Sequence, residues 1–274
     1  MITLIQYLLA VVSGVLVGFS LGLIGGGGSI LAVPLFLYFV GLDSLPDAAH
    51  IAIGSTALAV GLNAYINSYM HLKKHNVSPR VGTLFAGVGL IGSLLGAYLG
   101  HITPGTSLLI YFSIAMIVLG AYMAIRREST KPGTSDEIPR VMESLKKCPK
   151  LTPSTAAKVG GAGFVVGLVS GYFGIGGGFL IVPSLMFSAG LCITRAIGTS
   201  LLSVGTFGVA SGAEYAVYGD VLILVSLLYV LGGALGGYAG TSLAVKAPRN
   251  MLRVAYGVII VLVGIYMLFK LGVL

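Results

Sequence analysis

Two glycine-rich segments are the first feature of this 274-residue sequence with the means to do chemistry. Consecutive glycines open backbone conformations closed to other residues, so each segment is expected to end one helix and begin another. The first turn of the new helix offers unpaired N–H groups and a partial positive charge, which together bind anions. The predicted anion-binding residues are Gly25, Gly26, Gly27, Gly28 and Ser29 in the first segment and Gly174, Gly176, Gly177 and Gly178 in the second.

A proline and a hydroxyl pair follow each glycine segment. Pro34 and Pro183 come at the same distance from their glycines, where each loosens a short helix. Further on, residues 52–56 read Ala-Ile-Gly-Ser-Thr and residues 196–200 read Ala-Ile-Gly-Thr-Ser. Such hydroxyls either donate to a ligand or bond back to a carbonyl of their own helix, and both interpretations stay open. The four candidate hydroxyls are Ser55, Thr56, Thr199 and Ser200.

Two amides extend the candidate site in the first half only. Asn63 and Asn67 are one helical turn apart and therefore share a helix face. Their second-half counterparts are Phe207 and Ser211, so the predicted site is asymmetric.

Few ionisable residues fall within the apolar segments, where such residues are usually functional. Arg195 is predicted either to guide an anion or to act as a topology determinant. His50 is predicted to lie at the membrane interface, with proton carriage as the alternative. No acidic residue falls convincingly in mid-membrane, which disfavours a cation pump.

The composition tells what must hold these residues in place. Hydrophobic residues make up 56% of the chain and charged residues only 9%, too few to give a soluble domain a polar surface. Apolar runs between polar breaks predict an all-α membrane protein with five segments in each half. The predicted segments are 3–23, 30–41, 47–70, 80–99 and 104–125, then 155–173, 177–190, 195–217, 221–243 and 249–270.

The two halves repeat one another. Besides the glycine and Ala-Ile-Gly motifs, residues 92–100 match residues 232–240, and residues 120–123 match residues 264–267. We therefore predict a first transmembrane repeat over 1–125, a basic linker over 126–153, and a second repeat over 154–274.

The positive charge predicts how these halves sit. With five segments per half, 15 of the 16 Lys and Arg residues fall on one side, together with the linker. The positive-inside rule makes that side cytoplasmic and places both termini outside. Because five is odd, the two repeats are expected to be inverted relative to each other. The net charge of +8 is then a topology signal and a match to anionic lipid, without the basic–aromatic patch of a nucleic-acid binder.

The motifs resemble those of a known family. The glycine segments running into Val-Pro, at 25–34 and 174–183, and the motifs at 52–56 and 196–200 are similar to those of the TauE/SafE family of sulfite-exporter-like membrane proteins. The resemblance covers the chain outside the linker. It implies efflux of small sulfur oxyanions and organosulfonates such as sulfite and sulfoacetate. It also implies that both glycine segments and the four hydroxyls form the centre of the site.

The predicted function is a secondary transporter, an exporter of small anions by alternating access in a multi-pass cell-membrane protein. The anion would be held at helix N-termini near the midplane. A passive anion channel and a transporter of small carboxylates are the alternatives. An intramembrane hydrolase is disfavoured, since neither Ser170 nor Ser211 has the leading glycine of a nucleophile motif.

No catalytic residue, metal or cofactor is predicted, and no nucleic-acid partner. Proton or ion coupling stays open. The small-residue faces at 92–100 and 232–240 suit packing within the chain or between the protomers of a homodimer.

Overall fold

The computed structural model describes residues 3–125, 152–174, 178–243 and 249–273, and within these ranges it is helical, with no strand. Residues 126–151 of the predicted linker lie outside the described residues. The first-half helices are α1 (Leu4–Ile24), α2 (26–39), α3 (Ala48–Lys73), α4 (Pro79–Ile102) and α5 (Gly105–Ile125). Those of the second half are α6 (Pro153–Phe173), α7 (Gly178–Ala189), α8 (Ile193–Val217), α9 (Ile223–Leu243) and α10 (Arg249–Lys270).

The described helices are those of a membrane protein. Seven of them, α1, α3, α4, α5, α6, α8 and α9, are long and apolar enough to cross a bilayer. Shorter apolar stretches lie in α2, α7 and α10. This confirms the predicted all-α, multi-pass membrane fold.

Each half opens with a helical hairpin that turns at a glycine. Gly25 has φ of 82° and Gly174 has φ of 61°, conformations that side chains disfavour. After the first turn α2 runs back beside α1, so that the Gln6 Nε2 donates to the Gly41 carbonyl at 2.9 Å.

The two hairpins differ in regularity. The α2 segment consists of a 3₁₀ part (Gly26–Leu31), one α turn (Ala32–Pro34) and a π part (Leu35–Phe39). Pro34 has no N–H to donate, and the wider π turn begins directly after it. In contrast, α7 stays a continuous α-helix with Pro183 inside it.

Small-residue faces pair helices from different halves. On α1, Cβ atoms added at Gly14 and Gly18 would overlap with the Tyr229 and Gly233 carbonyl oxygens of α9. On α6, a Cβ at Gly167 would likewise overlap with the Gly89 carbonyl of α4. Both pairs run parallel, at separations that glycine alone permits. The faces at 92–100 and 232–240 are thus used for packing within the chain.

Equivalent helices pair with each other in opposite directions. Gly54 near the start of α3 lies beside Tyr215 near the end of α8, and Gly61 lies beside Gly208. In the same way, Gly120 of α5 lies beside Gly257 of α10. Antiparallel pairing of equivalent helices is the geometry expected for repeats of opposite direction.

The contacts also fix the register of the repeat at 144 residues from α3 onward. The amide of Asn63 occupies the place of a Cβ on Gly233, and the ring of Phe207 occupies that of a Cβ on Gly89. Asn63 and Phe207 are 144 residues apart in the chain, and so are Gly89 and Gly233. The sequence match of 92–100 with 232–240 was therefore wrong by four residues, one helical turn, because repeated small residues also align well after a shift of one turn.

Opposite ends of the bundle carry opposite charge. The basic end holds the end of α3 and the starts of α4 and α8, with Lys73, Lys74, Arg80 and Arg195. The acidic end holds Asp43, Asp47, Glu214 and Asp220, together with Lys270. Residues near both ends of the described chain also lie at the acidic end, since Gln6 bonds to Gly41 there and Tyr266 packs against Tyr38.

Candidate functional site

The hydroxyls of Ser55 and Thr199 each cap a helix of the other half. Ser55 Oγ accepts from the Leu222 N–H at 2.9 Å, where α9 begins. Thr199 Oγ1 accepts from the Ser78 N–H at 2.9 Å, where α4 begins. Leu222 and Ser78 differ by the same 144 residues, so the two caps are equivalent. These side chains satisfy helix-start N–H groups that would otherwise be buried without a partner.

The glycine of each Ala-Ile-Gly motif makes room for the capped loop. A Cβ on Gly54 would lie 2.5 Å from the Asp220 carbonyl oxygen, and one on Gly198 would overlap with the Asn76 carbonyl. The motif is therefore a contact between the halves, made once in each direction.

The second hydroxyls of the motifs bond within their own helices. Thr56 Oγ1 donates to the Ala52 carbonyl at 2.6 Å, and Ser200 Oγ donates to the Ile197 carbonyl at 2.7 Å. Of the two interpretations open from the sequence, back-bonding describes this pair.

The two hairpin turns lie at opposite ends of the bundle. Gly25 packs against Ile197 of α8, and Gly174 packs against Ile53 of α3. Ile53 is level with Tyr215, 18 residues along α8 from Ile197, so the two turns are about 27 Å apart along the helix axis. The structure therefore separates the two glycine turns, although the 3₁₀ part of α2 (Gly26–Leu31) does contact α7 (Gly178–Ala189).

The remaining glycine-segment residues divide between the two turns. Gly26 and Gly27 begin the 3₁₀ part of α2, and Ser29 within it is fully buried. Gly178 begins α7, whereas Gly176 and Gly177 lie outside the described residues.

The Gly28 carbonyl ties the first hairpin to the last helix of the chain. It accepts a hydrogen bond at 2.8 Å from the hydroxyl of Tyr256 on α10. Tyr256 also lies close enough to Tyr229 of α9 for their phenol groups to interact electrostatically. Neither tyrosine was among the residues predicted from the sequence.

The buried amides of α3 lie against α9. Asn67 Nδ2 donates to the Asn63 carbonyl at 2.9 Å, and Asn67 Oδ1 accepts from Thr241 Oγ1 at 3.2 Å. The Asn63 side chain is 0% exposed, and neither its Oδ1 nor its Nδ2 has a hydrogen-bond partner among the described residues. Tyr229 is also 0% exposed, and its hydroxyl likewise has no hydrogen-bond partner among the described residues.

The ionisable candidates lie at the ends of the bundle. Arg195 is the third residue of α8, at the basic end. His50 lies at the acidic end, with its Nε2 3.0 Å from the Thr103 carbonyl oxygen. Next to it lies His101, in the last turn of α4, with its Nδ1 3.2 Å from Asp220 Oδ2. Among the described residues, no three His, Cys, Asp or Glu side chains are grouped as metal ligands would be.

Comparison with known proteins assigns these features to one group. The family model described as Sulfite exporter TauE/SafE matches residues 10–267. A "Probable membrane transporter protein" of Xylella fastidiosa strain Temecula1 is 40% identical, over 98% of this chain and 97% of that protein. The "Probable membrane transporter protein YunE" of Bacillus subtilis is 26% identical, over 97% of this chain and 98% of its own length. No solved structure matches.

Proposed function

The chain belongs to the sulfite exporter TauE/SafE family, and on that premise we propose that it is a secondary transporter that exports small anions such as sulfite, sulfoacetate or other organosulfonates. A membrane transporter is what the family and the relatives' names indicate. The anionic substrate and the outward direction of transport go beyond what the relatives' names state.

The observation that carries the anionic substrate is the kind of polar group buried among the helices. Asn63 and Tyr229 supply unpartnered amide and phenol donors inside the bundle. The described acidic residues lie at one end of it instead. Amide N–H and phenol O–H donors in a water-poor interior stabilise an anion, whereas a buried cation would lack the carboxylate that usually neutralises it.

Alternating access would use the two hairpins at the two ends. The turn at Gly25 packs against α8 at the basic end, and the turn at Gly174 packs against α3 at the acidic end. Movement of the first hairpin would open a path to the basic end, and movement of the second a path to the acidic end. Export of an anion is downhill at an inside-negative potential, so no coupling ion is required.

Counterflow in proteoliposomes tests the function. Purified protein is reconstituted with unlabelled sulfite, sulfoacetate or acetate inside, and uptake of the labelled anion from outside is followed. We expect saturable uptake that is accelerated by the internal anion. Flux that grows linearly with concentration, accompanied by single-channel currents, would show a channel instead.

A further inference from the structure

The two halves differ in chemistry at one set of equivalent positions. At the 144-residue spacing, Asn63 corresponds to Phe207 and Tyr229 corresponds to Phe85. Phe85 and Phe207 are fully buried and pack against each other, with ring centroids 6.2 Å apart. One of the two equivalent places is therefore filled by an aromatic pair, from α4 and α8, whereas the other holds the amide of Asn63 on α3 and the phenol of Tyr229 on α9.

The difference extends to the next helix. Tyr256 of α10 corresponds to Phe112 of α5, which is also fully buried. The Tyr256 hydroxyl donates to the carbonyl of Gly28, which itself packs against Ser20 of α1. Ser20 belongs to the first hairpin, five residues before Gly25. The residue five before Gly174 in the second hairpin is the apolar Val169. Polar groups of α1, α3, α9 and α10 thus stand at one place, where the equivalent positions of α6, α8, α4 and α5 are apolar.

Packing does not explain this polarity. The aromatic pair shows that apolar side chains fill the same place, and an unpaired buried amide or phenol is costly. Yet Asn63 has two unpartnered polar atoms and Tyr229 has one. The Asn63 amide lies against Gly233, one turn along α9 from Tyr229. From there a single ligand that accepts hydrogen bonds would satisfy both the amide N–H and the phenol O–H.

We infer that Asn63 and Tyr229, with Tyr256 beside them, form an anion site, and that the equivalent place around Phe85 and Phe207 does not. The site selects a monovalent oxyanion. This inference rests on the proposed transport of small anions and assigns that transport to one place. The described parts of α1, α3, α9 and α10 hold no acidic residue. Along α3 the nearest Lys is Lys73, ten residues or about 15 Å from Asn63.

The charge class follows from that distance. Neutral donors compensate the lost hydration of one negative charge far better than that of two, because the cost of desolvation rises with the square of the charge. A monosulfonate, hydrogen sulfite or a monocarboxylate is accordingly favoured over sulfate. The same argument places sulfoacetate, whose sulfonate and carboxylate are both ionised at neutral pH, among the weaker ligands and so narrows the proposed substrates.

Binding to purified protein in detergent tests the inference, measured as the rise in unfolding midpoint with methanesulfonate, acetate or sulfate. Tyr229→Phe removes one oxygen that has no partner and should fold as the wild type does. Asn63→Leu is the second variant. Tyr215→Phe is the matched control, since the Tyr215 hydroxyl is also buried without a partner but lies at the acidic end.

We expect methanesulfonate to stabilise the wild type and Tyr215→Phe with similar apparent Kd, and the apparent Kd of Tyr229→Phe to rise at least tenfold. Equal responses in Tyr229→Phe, Asn63→Leu and the wild type would overturn the site. Stronger stabilisation by sulfate than by methanesulfonate would overturn the charge class.

Counterflow of labelled methanesulfonate separates failure of the site from failure of the function. Transport that both variants leave intact overturns the site alone. The absence of counterflow for every anion offered overturns the proposed function as well.

Discussion

Single hydroxyls of the Ala-Ile-Gly motifs do more to join the two halves than the sequence indicated. Four hydroxyls in two neighbouring pairs were expected to serve a ligand or their own helix. In the structure Ser55 and Thr199 each accept from a helix-start N–H of the other half, a role that neither expectation included. That partner comes from a loop more than 100 residues away in the chain, so local sequence carries no sign of it.

Ser55→Ala and Thr199→Val are expected to destabilise the protein, because each leaves a buried helix-start N–H without an acceptor. We expect a loss of about 1–2 kcal/mol in the free energy of unfolding for each. The midpoint of thermal unfolding in detergent measures it.

The motif's second hydroxyls give matched controls of the same residue types. Ser200→Ala and Thr56→Val remove only a hydrogen bond between the side chain and a carbonyl of the same helix. Each should lower the free energy of unfolding by well under 1 kcal/mol. If they lower the midpoint as much as Ser55→Ala and Thr199→Val do, the contact between the halves has no special weight.

Among the elements, the parallel helix pairs α1–α9 and α4–α6 depend on which glycine faces the partner. Gly167 of α6 has the Gly89 carbonyl where a Cβ would stand, whereas Gly161 of the same helix has nothing within 4 Å. We expect Gly167→Ala to cost about 1–3 kcal/mol through overpacking. Gly161→Ala should be neutral or gain up to about 1 kcal/mol from helix propensity.

Unfolding midpoints of both alanine variants, measured side by side with the wild type, check this. Equal midpoints for the two variants would mean that the helices separate easily and that close approach is not required for the fold.

Much of the helix order was predictable from the sequence, and some of its geometry was not. All ten predicted segments correspond to helices, since runs of apolar residues directly report burial in lipid. The division of α2 into 3₁₀, α and π parts was missed, although Pro34 pointed to a disturbance. The separation of the two glycine turns was missed as well, because it depends on pairing between distant helices.

The candidate site was predictable in part. Asn63 was selected from its position one turn from Asn67, and it lies deep in the bundle. Tyr229 and Tyr256 were missed because a tyrosine in an apolar helix resembles the aromatic residues of a membrane interface. For Tyr229, the shifted match of 92–100 with 232–240 also hid the 144-residue register that pairs it with Phe85, until the helix contacts corrected it.

For the molecule as a whole, the separation of charge predicts its orientation. We expect the basic end to face the cytoplasm, as the positive-inside rule requires. Single cysteines at Ser44 and His75, in a background without Cys148 and Cys192, test this without altering a lysine, arginine or acidic residue. A membrane-impermeant maleimide should label Ser44→Cys in intact cells and His75→Cys only after permeabilisation. The reverse pattern would contradict the orientation.

The parallel pairing of α1 with α9 also has a consequence for biosynthesis. Gly14 and its neighbour Tyr229 are 215 residues apart in the chain, so at ordinary translation rates α1 waits roughly 10–40 seconds for its partner. During that interval its glycine face must lie against lipid, or against another protein that holds it. The nascent first half is therefore incompletely packed in the bilayer. Its lifetime depends on the quality-control machinery of the membrane as much as on its own sequence.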